Sequence, residues 1–342
     1  MRTIFVVGNF GLEPKESSVG KKLAALFNAD IINGGSFEDI QNVNLRGYNL
    51  IFWMPNIDNG FEKVYPKKDT GAVLICSKVL REGRTEIDAI SRIFQIHGNA
   101  VIAIKSETTP FEFKLIDALG NAWVETSDLT QLHEAVISLV EWTLGAIRKN
   151  TSNIGSVEYD FTPYQRFIDI NRKVADKFEV VNGRFFGNCS TRCSKMFPTM
   201  KVDATHMIVS KRNVSKQRLT TDDLVLVRLL GDGTLEYYGE SKPSVDTPIQ
   251  ISLYKDFPSV NYMIHGHTYV EGAEFTDNYF PCGDMREYYE TRLFINRPFG
   301  VINLINHGFF MYADTLDNLE EMVDKMVFME RNVGNEPVKF LI

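Results

Sequence analysis

The chain has 342 residues, 44% of them hydrophobic, with a net charge of -7. That length allows two domains with real cores, and an acidic balance without a basic tract excludes general nucleic-acid binding, which needs clustered Lys and Arg. No run approaches the roughly 18 apolar residues of a membrane span, and residues 1–8 are too short and strand-like for a signal peptide, so a cytoplasmic protein with no membrane partner is expected.

Thr3-Ile-Phe-Val-Val7 is a buried strand by its β-branched run, and it empties into the glycine turn Gly8-Asn-Phe-Gly11 before a helix over 17–27. A strand, a glycine turn and a helix can cradle a phosphate, but the Walker spacing fails and no G-x-G-x-x-G follows, so a plain βα corner competes with ligand binding. Four more apolar strands follow at 29–33, 48–53, 72–76 and 100–104, separated by helical stretches that include one over 85–97. Five such strands alternating with helices predict a doubly wound parallel sheet of the Rossmann or flavodoxin type. Its carboxyl edge would carry the loop 54–60 and the pair Ser77-Lys78. A helix over 130–148 closes this domain, placed at 1–148, and the polar stretch 149–158 links it to a second domain over 159–342. Cys76, Cys189, Cys193 and Cys282 show no C-x-x-C spacing, as expected for reduced thiols.

The second half opens with an amphipathic helix over 164–178. Its chemistry centres on Tyr262-Met-Ile-His265-Gly-His267. In an extended strand residues i and i+2 face the same way, so both imidazoles point to one side, as two ligands of a divalent metal or as a structural pair. Of the six histidines, His307 also ends an apolar run, in Val301-Ile-Asn-Leu-Ile-Asn-His307-Gly308, so that two strands end in histidines.

Several blocks around these histidines occur in a characteristic order. Gly187-Asn188-Cys-Ser190-Thr-Arg192 comes first, then Val209-Ser210-Lys211, Lys242-Pro-Ser244-Val-Asp246-Thr-Pro248, Tyr254-x-x-Phe257-Pro258, His265-x-His267 and Asn306-His307-Gly308. The order resembles the class II aldolase/adducin family over about residues 160–330 and implies an αβα domain there. The resemblance implies that His265, His267 and His307 bind a divalent metal, most often zinc, with manganese as the other candidate. It implies that Asp246 is the acid/base carboxylate and that Asn188, Ser210 and Ser244 hold the phosphate of a sugar-phosphate substrate. Lys211 stands where the family usually has glycine and either adds a cation to that pocket or points outward. Val245 replaces a serine of the same pocket, and Asp246 itself, where aldolases mostly carry Glu, tilts toward the ribulose-phosphate 4-epimerases. Those enzymes use a second acid/base residue and a C-terminal tyrosine from a neighbouring subunit; Asp277, and Tyr279, Tyr288 or Tyr289, are the nearest substitutes here.

Simpler roles compete at several positions. An Asp before Thr-Pro suits a helix start, Asn188 and Ser190 can fix a turn, Arg192 can be a structural partner, and Cys189 and Cys193 suit a core. The expected function is metal-dependent cleavage or formation of a carbon–carbon bond in a short, phosphorylated sugar. The alternatives are a sugar-phosphate 4-epimerase, a dehydratase of the same family, and a non-catalytic, adducin-like interaction module. Family members are commonly tetramers, so a homo-oligomer is expected.

Overall fold

The computed structural model describes residues 1–7, 14–34, 40, 42–54, 71–105, 110–147, 151–156, 160–175, 187–193 and 205–338. The glycine turn at 8–11, the loop at 55–60 and the start of the Asn-Gly-Arg stretch at 182–186 lie outside these residues. Two compact units emerge, Met1–Ile147 with Asn332–Val338, and a second over Arg148–Arg331, so the first unit is built from two separate stretches of the chain. Among the described residues no helix is long and apolar enough to cross a membrane.

The first unit is a mixed α/β arrangement of β1 (Thr3–Val7), α1 (Pro14–Leu26), β2 (Asp30–Asn33), β3 (Leu50–Met54), β4 (Val73–Leu80), α2 (Glu86–Gln95), β5 (Ala100–Lys105), β6 (Glu112–Asp117), β7 (Asn121–Thr126) and α3 (Leu129–Ile147). The five expected strands are all present, parallel, in the order β2-β1-β3-β4-β5. Their β-branched and aromatic runs are buried end to end in β1 and β3, and Phe5 stacks on Phe52 at 3.9 Å between ring centres. Leu23 and Ala24 of α1 and Leu132, Val136, Leu139 and Val140 of α3 join the same core. The helix α2 starts where Asp88 accepts from the Thr85 backbone N–H at 3.0 Å.

The sheet then continues beyond the expected strands. β6 pairs antiparallel with β5, and β7 with β6. Charged residues disguise this hairpin in the sequence, but the fold satisfies them. The Lys114 amine reaches Glu86 at 3.2 Å and Glu125 at 3.1 Å, and bonds Asn335. Asp117 accepts from the backbone N–H groups of Leu119 and Asn121 and from the side chains of Asn121 and Trp123.

The second unit contains β8 (Thr151–Asn153), α4 (Gln165–Ala175), β9 (Asn188–Arg192), β10 (His206–Ser210), β11 (Leu224–Leu229), β12 (Leu235–Tyr238), α5 (Thr247–Asp256), β13 (Tyr262–Gly266), β14 (Tyr269–Val270), β15 (Glu274–Phe275), α6 (Met285–Thr291), β16 (Gly300–Leu304), β17 (Gly308–Ala313), α7 (Leu316–Lys325) and β18 (Phe328–Met329). The chain then adds β19 (Glu336–Pro337) to the first unit, parallel to β7. Nine strands form one sheet in the order β15-β16-β17-β13-β9-β10-β11-β12-β8, antiparallel except at its two ends, where β15 joins β16 and β8 joins β12 in parallel. The edge strand β8 falls within the stretch expected to be a linker; its backbone, rather than its polar side chains, makes the pairing.

Period-two alternation sorts the strands' side chains between two cores. Ile208, Leu226, Ile264 and Met311 pack with Phe167 and Ile168 of α4 and Leu319 and Val323 of α7. Met207, Val225, Met263 and Phe310 pack with Ile249, Leu253 and Tyr254 of α5 and Tyr288 of α6. Helices therefore cover both faces of the sheet, and the central strands β9 and β13 are buried within an αβα sandwich.

Candidate metal and acid/base site

The apolar run of β13 ends in His265, which is 4% exposed. β13 pairs with β17 so that His265 lies opposite Phe310 and Gly266 opposite Phe309. The turn that precedes β17 therefore brings His307 to the end of β13, where His267 emerges. Gly308 permits this approach: a Cβ there would lie 1.9 Å from the Gly266 carbonyl oxygen. Gly187 does the same from the other neighbouring strand, since its Cβ would meet the His265 carbonyl oxygen at 2.4 Å. The three rings stand 4.6 to 5.1 Å apart between centroids.

Two of the imidazoles are oriented for ligation. His265 Nδ1 is 2.7 Å from the Phe309 carbonyl oxygen, which can only accept, so Nδ1 carries the proton and Nε2 holds a free lone pair. That Nε2 is buried and has no partner. His307 Nδ1 is held at 2.5 Å by the buried carboxylate of Glu287, leaving Nε2 beside the Cys282 thiol at 3.3 Å. A carboxylate on the far nitrogen is the usual way a metal-binding imidazole is fixed and made more basic. Arg331 secures the same turn through the carbonyls of Asn306 at 2.9 Å and His307 at 3.2 Å.

Burial, then the neighbouring His307, pushes the pKa of His265 down. Burial, then His265 and His307, pushes that of His267 well below the ordinary imidazole value. Both stay neutral at physiological pH, the state in which imidazole binds metal. Ligand atoms of His265, His267 and His307 lie within 4.8 Å of one another, and so do those of Asp246, Cys282 and His307. The trio, with an orphaned lone pair and a carboxylate-backed imidazole, fits a divalent cation.

Asp246 precedes α5, yet its side chain makes no capping hydrogen bond. It is 6% exposed and turned inward, where Oδ2 accepts from Asn188 at 2.9 Å and from the Ser244 hydroxyl at 3.4 Å, while Oδ1 has no partner. Asn188 sits on β9 directly opposite His265, and its own carbonyl accepts from Gln250 of α5. Ser210, fully buried at the end of β10, accepts from the Cys189 backbone N–H at 3.2 Å. Lys211 forms a backbone bridge with Pro243, which brings its loop alongside the Ser244 turn. Its amine, however, donates to the Asp222 carbonyl.

The remaining candidates separate from this group. Arg192 donates to the backbone carbonyls of Val260 at 2.7 Å, Phe257 at 2.9 Å and Tyr254, so it braces the turn between α5 and β13. Cys189 is enclosed in the core, where burial raises its thiol to about 12. Asp277 is exposed. Tyr288 donates to Asp256 at 2.6 Å, Tyr279 is buried and Tyr289 is 60% exposed. Four residues of the neighbourhood carried no signal in the sequence: Glu287 and Cys282, which arrive from the segment between β13 and β16, Gln250, and Lys216, a buried lysine in the loop after β10.

Residues 165–273 match the family described as Class II Aldolase and Adducin N-terminal domain. The resemblance drawn from the motifs is thereby shown for this stretch. The chain is also similar to an L-fuculose 1-phosphate aldolase, with 15% identity over 49% of this chain and 82% of that one and a TM-score of 0.37. It is similar to a sugar-phosphate aldolase from Thermotoga maritima, with 13% identity over 48% of this chain and 94% of that one and a TM-score of 0.35. An L-fuculose-1-phosphate aldolase from Thermus thermophilus shares 16% identity over 47% of this chain and 91% of its own, with a TM-score of 0.32.

Proposed function

We propose, from the match of residues 165–273 to the class II aldolase and adducin family, that this chain is a divalent-metal-dependent enzyme that makes or breaks a carbon–carbon bond in a short, phosphorylated hydroxy-carbonyl compound. The observation that carries the reading is the His265, His267 and His307 trio, in which the His265 Nε2 lone pair is buried without a partner and Glu287 backs His307. A divalent cation on these imidazoles, zinc or manganese, would supply Lewis acidity toward a substrate oxygen. The residues around it do the rest. Asp246 offers the free Oδ1 as the atom that takes or returns a proton, while Asn188 holds the other carboxylate oxygen and keeps it aimed. Ser210, Ser244 and the adjoining loop backbone are the groups proposed to receive the phosphate, with Asn188 at their edge. Lys211 joins that loop through its backbone, and its amine is already engaged.

Sugar-phosphate 4-epimerisation is the second reading, favoured by an aspartate rather than a glutamate at position 246. The two differ in product: cleavage releases two fragments, and epimerisation conserves the carbon skeleton. We read the first unit as a doubly wound, flavodoxin-like domain on the strand order β2-β1-β3-β4-β5, and the active form as a cytoplasmic homo-oligomer.

Elemental analysis of the purified full chain beside a His265→Ala/His267→Ala variant tests the metal. About one divalent ion per chain, lost in the variant, is expected. A chain that takes up no ion, even after reconstitution with zinc or manganese, would sink the enzyme reading in favour of an adducin-like interaction module.

A further inference from the structure

Lys216 lies in the loop between β10 and β11 and is 6% exposed. An ammonium group has three N–H donors. Here one of them meets the Val214 carbonyl oxygen at 2.9 Å, and no other group among the described residues accepts from it. Lysine can usually snorkel its charge to water, so one that stays buried with unmet donors is costly to the fold. Asp246 and Asp223 are near enough to act on its charge but do not bond it: the Asp246 carboxylate is held by Asn188 and Ser244, and the Asp223 carboxylate by Thr220.

The amine also shares a field with the chemistry. Its charge is felt by His267, and that of Asp246 is felt by it. Burial lowers its pKa to about 8, so it still carries its proton at neutral pH. The site therefore holds a fixed cation with spare donors next to the proton-moving carboxylate and the imidazole trio, and no anion among the described residues bonds it.

We propose that Lys216 is the cation that receives the anionic end of the substrate, an oxyanion entering the site supplying the acceptors that the fold withholds from its ammonium. This rests on the metal-dependent reading of the same site and names the residue that gives it specificity for charged substrates. Lys211, the basic residue that the sequence offers for this role, spends its amine on a backbone carbonyl. Lys216 is free to serve.

The test is a calorimetric titration of the full-length chain with inorganic phosphate, for wild type, Lys216→Met and Lys216→Arg, with Lys216→Gln as a second charge-free variant should the methionine disturb folding. It is run on the zinc-loaded and on the metal-free protein, with zinc content and melting curves recorded alongside. Expected is a phosphate affinity at least about tenfold weaker in Lys216→Met and Lys216→Gln, and within about threefold of wild type in Lys216→Arg, with zinc content unchanged. Equal affinity in wild type and the charge-free variants would place phosphate on the metal or on other donors and overturn the assignment. So would a wild-type chain that binds zinc but shows no phosphate binding at about 10 mM. If zinc fails to bind, the metal reading falls, and the metal-free titration still decides whether Lys216 holds the anion.

Discussion

The two units treat their buried polar groups in opposite ways. In the first, Lys114 is 3% exposed yet surrounded by Glu86, Glu125 and Asn335, and Asp117 receives two backbone and two side-chain donors. Among its described residues the unpartnered side-chain atoms include the Thr3 hydroxyl and the Trp53 indole nitrogen, neither of them ionisable and each on its own strand. In the second unit the unmet groups include ionisable ones gathered at the ends of β9, β10 and β13: His265 Nε2, Asp246 Oδ1 and the Lys216 ammonium. Buried charge is retained by a fold either because it is paired or because something outside the fold will pair it. Lys114 and Asp117 hold a hairpin in place; on the proposed reading, His265, Asp246 and Lys216 are left open for a metal and a substrate.

The largest effect that could break this contrast comes from Asp246→Asn. With a sugar phosphate that the wild-type chain turns over, kcat is expected to fall by about 10²–10⁴, with metal content unchanged, because the amide cannot take a proton from Oδ1. Stability should not fall, since the mutation removes a half-satisfied buried carboxylate. If instead the variant melts well below wild type and keeps its turnover, Asp246 is a structural residue of the α5 turn and the contrast fails there.

Replacing each buried lysine with methionine sharpens the comparison, because opposite signs are expected. Lys114→Met strips Glu86 of its partner and leaves Glu125 with Lys105 alone, and should cost about 2 kcal/mol, tempered by the access both carboxylates have to water. All three tryptophans of the chain, Trp53, Trp123 and Trp142, lie in the first unit, so indole fluorescence during urea denaturation reports it. Lys216→Met should stabilise the second unit at pH 7. The folded amine is lowered to about 8 from an ordinary 10.5, so the unfolded chain binds the proton more tightly. Stability linked to this group is therefore fully present above about 10.5 and lost as pH falls through about 8; at neutral pH the fold bears up to about 3 kcal/mol of that cost. The advantage of methionine, measured by hydrogen exchange at β9 and β10 amides, should be about 1–3 kcal/mol at pH 7 and shrink as pH rises from 8 to 10. A destabilised Lys216→Met would mean that the amine's bond to Val214 matters more than its burial.

How far these features could be read in the sequence depended on whether a local pattern caused them. The apolar runs of β1 to β5 are driven into the core by their own composition, and their parallel order follows from the helices between them. The β6–β7 hairpin was hidden because its central Lys114 and Asp117 look like surface residues until Glu86, Asn335 and Trp123 are brought to them. In the site, His265 and His267 were legible from strand periodicity, and His307 from the apolar run before it. Glu287 and Cys282 were not, since only the packing of α6 and its preceding turn delivers them to His307. Lys216, flanked by Ser215 and Gln217, has the sequence context of a solvated loop, and burial alone distinguishes it.

The smallest expected effect is the one that most closely separates the two lysines of that loop. Lys211→Ala removes an amine that already has a backbone acceptor, the Asp222 carbonyl, in a partly exposed position. Loss of such a bond should change stability by no more than about 0.5–1 kcal/mol and phosphate affinity by less than about twofold. The backbone bridge from Lys211 to Pro243, which keeps the loop beside Ser244, needs no side chain and survives the substitution. If phosphate binding in the titration above instead weakens tenfold in Lys211→Ala and holds in Lys216→Met, the exposed lysine must swing away from Asp222 to meet the anion. The buried one would then be a cost that the fold bears for another reason, and unmet donors would no longer mark the site.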